Sequence, residues 1–145
     1  MSIASLLKSV QLFANLNMSE LEQLATICVE KRVDPGETII SQNTTGKEMY
    51  IVARGAAEVF IHGMANSRTL VFLGQGQVIG EMALIDQGYR SASVRATKEG
   101  ADLYKIESED FYKLCAENNH IGFVVMRNLA IDIAFKLRHR NLTEM

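Results

Sequence analysis

The sequence is short of most residues that build a specialised scaffold. Its 145 residues include one Pro, two Cys and no Trp. A single Pro among ten Gly excludes a collagen-like or low-complexity chain. The two thiols, Cys28 and Cys115, lie far apart in apolar, helix-like stretches, with no CxxC and no third ligand nearby. They read as small buried hydrophobes in a reducing compartment, not as a disulfide or a zinc site. The three histidines, His62, His120 and His139, are scattered without HxH or HExxH spacing, so no metal is expected. No apolar run reaches the roughly 18 residues of a membrane span. No basic segment precedes the first apolar residues, as it would in a signal peptide, so the expected location is the cytoplasm. Neither sign of charge dominates: 15 basic residues face 17 acidic ones. The basic excess common in nucleic-acid binders is therefore missing.

What is present is one domain's worth of core. Hydrophobic residues make up 48% of the chain, which excludes disorder, and the length suits a single domain over 1–145. A helical head is expected over about 1–33. Ile3, Leu6, Leu7, Val10, Phe13 and Leu16 form one helical stripe. Ser19 opens Ser-Glu-Leu-Glu, a capping box closed by Glu22. Asp34-Pro35-Gly36 is turn chemistry and separates the head from a β region over about 34–107. Strand patterns cover 38–40, 49–53, 57–61, 69–73, 92–96 and 103–106, with Gly55 splitting the second from the third.

Helix returns over about 108–143. Ser108 reads as an N-cap, with Glu109 and Asp110 in the first turn. The helix over 121–140 carries two apolar rows. One is Ile121, Val125, Leu129 and Ile133; the other is Phe123, Met126, Ala130, Ala134 and Leu137. Asn128, Asp132 and Lys136 are expected on its wet side. Strands segregated from helices predict an α+β fold with a sandwich or barrel at its centre.

The segment richest in chemistry is 80–94. A short helical turn, Glu81 to Ile85, opens directly after Gly80. Gly80 permits close approach of a ligand, and a helix start offers unpaired N–H groups to an anion. Arg90 begins a small-residue strand, where its guanidinium could fork onto two phosphate oxygens. Ser91 and Ala92 leave room, and Glu81 could accept from sugar hydroxyls. On composition alone, an acid and a base nine positions apart are more often a structural ion pair or two surface charges.

Gly80-Glu81-Met82-Ala83-Leu84, a short spacer, then Arg90-Ser91-Ala92-Ser93-Val94 resembles the phosphate-binding cassette of the cyclic nucleotide-binding domain family. The flanks resemble it in order: Leu12-Phe13, Pro35-Gly36-Glu37, Tyr50-Ile51-Val52 with Gly55, and Asp110-Phe111 with Leu114. The resemblance implies a β-roll (a double-stranded jelly roll) flanked by N-terminal helices and a C-terminal helical lid. It implies that Arg90 neutralises a cyclic phosphate and Glu81 holds the ribose 2′-hydroxyl. Amides around Met82, Ala83 and Ala92, with Gly80 at the turn and the Ser91 hydroxyl, would complete the cradle. Cyclic AMP is favoured over cyclic GMP, and Arg138, Arg140 and Asn141 are candidates to cap the base. Four departures stand out: Ile79 for Phe, Tyr89 for Pro, Asn43 for Gly, and no Pro near Asn118-Asn119-His120.

No nucleophile–base pair points to catalysis, so a non-enzymatic sensor with no cofactor is expected. No DNA-binding helix-turn-helix follows the last helix in this chain, and no membrane contact is implied. The second apolar row leaves room for a homodimer or a partner protein along the C-terminal helix. Two alternatives stay open: a nucleotide-independent interaction domain of the same fold, and the sensor half of a truncated transcription regulator.

Overall fold

The computed structural model describes residues 2–144, and side chains as far as residue 139. Helix α1 (Ile3–Lys8), a 3-10 turn (Gln11–Phe13) and α2 (Met18–Ala25) form the head. Strands β1 (Val29–Val33), β2 (Thr38–Ile40), β3 (Glu48–His62), β4 (Ser67–Leu73) and β5 (Val78–Ile79) follow. A second 3-10 turn (Glu81–Leu84) leads to β6 (Ser93–Glu107), then α3 (Ser108–Glu117) and α4 (Asn119–Glu144). The α+β class and the antiparallel roll with flanking helices agree with the expected fold.

The expected helical stripe over 3–16 is two pieces. Ser9 caps α1 by donating from its hydroxyl to Leu6 O at 2.6 Å, and the extended backbone of Val10 then turns the chain. The separate 3-10 turn still buries Leu12 and Phe13. The α2 cap also differs from expectation. Asn17, not Ser19, is the N-cap. Its Oδ1 accepts from the Glu20 amide at 2.8 Å while Glu20 Oε1 accepts from the Asn17 amide at 3.2 Å. Two such frames overlap in the sequence. The earlier one wins because Glu20 finds further donors across the fold, with His120 Nδ1 2.7 Å from its Oε2.

Glu20 is buried. Burial pushes its carboxyl up, but the hydrogen bonds from His120 and Asn17, the charge of His120 and the contact with Asn118 outweigh this, leaving it below the ordinary 4.5. The unfolded chain therefore takes up this proton first as pH falls. The stability Glu20 contributes is present above its ordinary pKa and is lost on acidification. Urea unfolding from about pH 6 to about pH 3.5 should show the wild type losing more stability than Glu20→Gln.

Two long strands organise the roll. β3 and β6 pair antiparallel from Glu48 opposite Glu107 to Phe60 opposite Ser93. Four of the expected strand pieces are halves of these two. Gly55 and Gly100 do not end strands; they bend them, with φ of +82° and +72°. A Cβ on Gly55 would lie 2.2 Å from Gly100 O, so the facing backbones can cross only without side chains. The sheet order is β1-β6-β3-β4, with β2 on β6 and β5 on β3. β1, expected within the helical head, is an edge strand that buries only Val33. Its exposed run of Glu30, Lys31 and Arg32 hides the strand from a hydrophobicity pattern.

One core fills the roll, with Val52, Ala57, Val94 and Leu103. The other joins the head and the C-terminal helices to the roll, with Leu7, Phe13, Met49, Ile106, Phe111, Ile121 and Leu129. Cys28 and Cys115 pack against this second core, and burial pushes the Cys28 thiol up to about 12. At the start of α3 the N-cap is Glu107, not Ser108. Ser108 is buried, and its Oγ has no hydrogen-bond partner among the described residues.

On α4 the expected faces are reversed in part. Ile121, Val125 and Leu129 are buried as read. Asn128 is not on a wet side: its Nδ2 donates to Leu12 O and Ala14 O, both at 2.9 Å. Phe123 is 65% exposed and Leu137 56%, so much of the second apolar row faces out. No described helix is long and apolar enough to cross a membrane.

Candidate functional site

The site begins where β5 ends. Buried Ile79 anchors the strand, and Gly80 leaves it in the left-handed region at φ +71°. The 3-10 turn follows, with the Ala83 amide donating to Gly80 O at 3.1 Å. Ala83 and Leu84 are buried. Tyr112 Oη donates to Leu84 O at 2.8 Å, which ties α3 to the turn. An exposed loop with Asp86 and Tyr89 then leads to Arg90.

Arg90 is held at its backbone by the 43–45 turn. Its amide donates to Thr44 O at 2.7 Å, and its carbonyl accepts from the Asn43 amide at 2.8 Å. Asn43 has φ +68°, the left-handed conformation Asn tolerates in place of Gly. Gln42 completes the clamp, its amide donating to Ser93 Oγ at 2.8 Å.

The guanidinium lies 9% exposed. Nη1 donates to Gly80 O at 3.3 Å; Nη2 donates to Glu48 O at 2.8 Å and to Glu48 Oε1 at 3.2 Å. It occupies a slot between two glycines. A Cβ on Gly46 would sit 2.1 Å from Nη2, and one on Gly80 2.6 Å from Nη1. The ion-pair reading of Glu81 with Arg90 is therefore corrected: the acid paired with Arg90 is Glu48. Glu48 also faces Tyr50, whose Oη donates to Glu48 Oε1 at 3.5 Å. Burial, and then the Glu48 charge, push that phenol up to about 12.

Gly80, Glu81, Met82, Ala83, Arg90, Ser91 and Ala92 all line one cavity of about 570 Å³. Ile40, Val59, Val71 and Val94 give it an apolar wall, and Lys136 reaches it from α4. Lys136, expected on the wet side, bonds Asp132 at 2.9 Å. That hydrogen bond and the charges of Asp132 and Glu81 raise its pKa against the opposing effect of desolvation. Arg138 is exposed and does not line the cavity; Arg140 and Asn141 lie outside the residues whose side chains are described. Chemically, the cavity can hold one anion on a recessed guanidinium, hydroxyls on a carboxylate and a flat apolar group on the wall.

Three participants escaped the sequence reading: Glu48, Gly46 in its slot role, and Lys136. Only Gly46 carried a local signal, as the last residue of a Gln-Asn-Thr-Thr-Gly turn.

A family model for the cyclic nucleotide-binding domain matches residues 30–118. The cyclic AMP receptor protein of Thermus thermophilus is 36% identical over 138 residues, covering 94% of this chain and 61% of the receptor. A cGMP-dependent protein kinase of Caenorhabditis briggsae is 28% identical over 117 residues, 79% of this chain but 16% of the kinase. The chain thus spans less than two thirds of either relative. The crystal structure of the Thermus thermophilus catabolite activator protein superposes with a TM-score of 0.81 at 31% identity, over 92% of this chain and 61% of that one.

Proposed function

Because this chain belongs to the cyclic nucleotide-binding domain family, we propose that it is a sensor module that takes cyclic AMP, in preference to cyclic GMP, into the Arg90 cavity and answers by shifting α4. The observation that carries this reading is the Arg90 guanidinium seated between Gly46 and Gly80 in a cavity also lined by Glu81. Arg90 holds the cyclic phosphate, and Glu81 accepts from the ribose 2′-hydroxyl. The Met82 and Ala92 amides and the Ser91 hydroxyl add donors. The Ala83 amide already serves Gly80 O, so Ala83 contributes chiefly its small side chain.

The preference for cyclic AMP is supported by the name of the 36% identical receptor and by Ser91, which is compatible with adenine. The output is binding rather than catalysis. A ligand moves a helix only if it bonds the two helix positions differently. Two contacts supply that difference. Tyr112 reads the turn through Leu84 O, and Lys136 on α4 shares the cavity wall with Glu81. A second cavity of about 550 Å³ under α4, lined by Leu12, Gln77 and Phe135, gives the helix room to settle. The exposed row with Phe123 and Leu137 supports a second copy or a partner protein on the outer face of α4.

Thermal unfolding with each nucleotide tests the ligand, and hydrogen exchange tests the helix. A ligand at 100 times its Kd stabilises a fold by about 2.7 kcal/mol. Cyclic AMP should raise Tm more than equimolar cyclic GMP and should change protection along 119–139. A larger rise with cyclic GMP would overturn the base preference, and unchanged exchange in α4 would overturn the shift.

A further inference from the structure

We infer that Glu48 is a charge filter: paired with Arg90, it makes the site favour singly charged phosphodiesters over doubly charged phosphate monoesters. The site would thereby reject the open-chain nucleotide left when the cyclic diester is hydrolysed. This rests on the reading of Arg90 as the phosphate anchor.

Backbone groups aim the guanidinium. Two backbone carbonyls, Gly80 O and Glu48 O, already hold Nη1 and Nη2, and Gly46 and Gly80 close the slot on either side. The Glu48 carboxylate is a third acceptor on a group whose direction the backbone sets. What it adds is negative charge, 3.2 Å from Nη2 and only 27% exposed, so water screens it incompletely. An anion on the remaining N–H groups of Arg90 meets a cation that Glu48 largely offsets. The other charges around the cavity do not restore the balance. Glu81 and Asp86 are further acids on the wall, and Lys136 is engaged by Asp132. Tyr50, pushed up to about 12, stays neutral beside Glu48.

Repulsion from one fixed charge scales with the charge of the ligand. A cyclic phosphodiester carries one negative charge. A phosphate monoester carries about 1.5 to 2 at pH 7, because its second pKa is near 6. Removing the Glu48 charge should therefore help the monoester by roughly the square of the factor by which it helps the diester.

The test is competition by cyclic AMP and by adenosine 5′-monophosphate against a fluorescent cyclic nucleotide, on wild type, Glu48→Gln and Glu48→Asp. The Gln side chain keeps an oxygen that accepts from Nη2 and removes the charge; its amide nitrogen takes the place of the oxygen that accepts from the exposed Lys47 amide. Glu48→Gln should tighten cyclic AMP roughly 5-fold and the monophosphate roughly 25-fold, while Glu48→Asp keeps the discrimination of the wild type. A parallel loss for both ligands, an unchanged ratio, or a monophosphate that still fails to compete in Glu48→Gln would overturn the filter. If the wild type binds neither nucleotide, the anchor reading itself falls. If it binds cyclic AMP and the ratio does not move, the filter alone falls.

Discussion

Arg90→Ala should abolish measurable binding of cyclic AMP while leaving the chain folded. A hydrogen bond to a charged partner contributes about 1.5–3 kcal/mol, and at least two to the phosphate disappear with the guanidinium. The expected loss is about 10²- to 10⁴-fold in affinity. The cost to folding is smaller. Arg90 is not part of either hydrophobic cluster, and Glu48, 27% exposed, can turn its freed carboxylate toward solvent. Calorimetry paired with a circular-dichroism melt separates the two effects. Affinity retained to within about tenfold, in a variant that still melts cooperatively, would show that the anion is held elsewhere.

Gly46→Ala should come close to the same loss without touching Arg90 itself. The added Cβ would lie 2.1 Å from Nη2 and 2.6 Å from Cζ and Nε, so the guanidinium must leave its slot. Its departure breaks the bonds to Gly80 O and Glu48 O and takes the charge away from the phosphate position. A fall of roughly 100-fold in affinity follows if most of that alignment is lost. Gly46 does not have a positive φ, so alanine fits its backbone, and the side chain it displaces is flexible. Stability should therefore change little. Gly80→Ala is a less clean probe: its Cβ would meet Nη1 at 2.6 Å and Ile40 Cδ1 at 2.9 Å, at a φ of +71° that alanine resists. Gly74→Ala is the matched control, with nothing within 4 Å of the new carbon and no positive φ. It should bind as the wild type does. A Gly46→Ala chain that also binds normally would mean that the slot does not aim Arg90.

These two substitutions mark where the sequence was legible. The cassette could be read because its chemistry is local. Gly80 through Leu84 is one turn and Arg90 to Ala92 follows a short loop, so the whole motif lies in one stretch of sequence, although the 43–45 turn and Glu48 fix where Arg90 sits. Glu48 and Gly46 could not be read the same way. They lie more than 40 positions before Arg90, and the pairing of β5 and β6 with β3, together with the bonds between the 43–45 turn and Arg90, brings them together. Pairing across a roll is not written in the composition of either segment.

Other misreadings have equally definite causes. Lys136 continues the line of Asn128 and Asp132 along one helix face, and three polar residues in line look like a solvated surface. Here only Asn128 departs from that surface, its amide meeting the Leu12 and Ala14 carbonyls; Asp132 and Lys136 stay exposed, and the apolar row carrying Phe123 and Leu137 is left outside as well. Periodicity finds the faces of a helix but does not say which one is covered. Gly55 looked like a strand end because glycine weakens strands. It is a bend, since it lets the Gly100 carbonyl approach, which only the pairing reveals. The Asn17 cap was hidden because Ser19 offered the same pattern two residues later, and the choice was made by His120 at the far end of the chain.

The most direct test of the account is calorimetric titration of cyclic AMP into the wild-type chain, with Arg90→Ala in the parallel cell. Saturable heat with one nucleotide bound per chain is expected in the wild type, and none in the variant. No heat from the wild type with cyclic AMP or cyclic GMP at high micromolar concentration, or equal heat from both proteins, would contradict it.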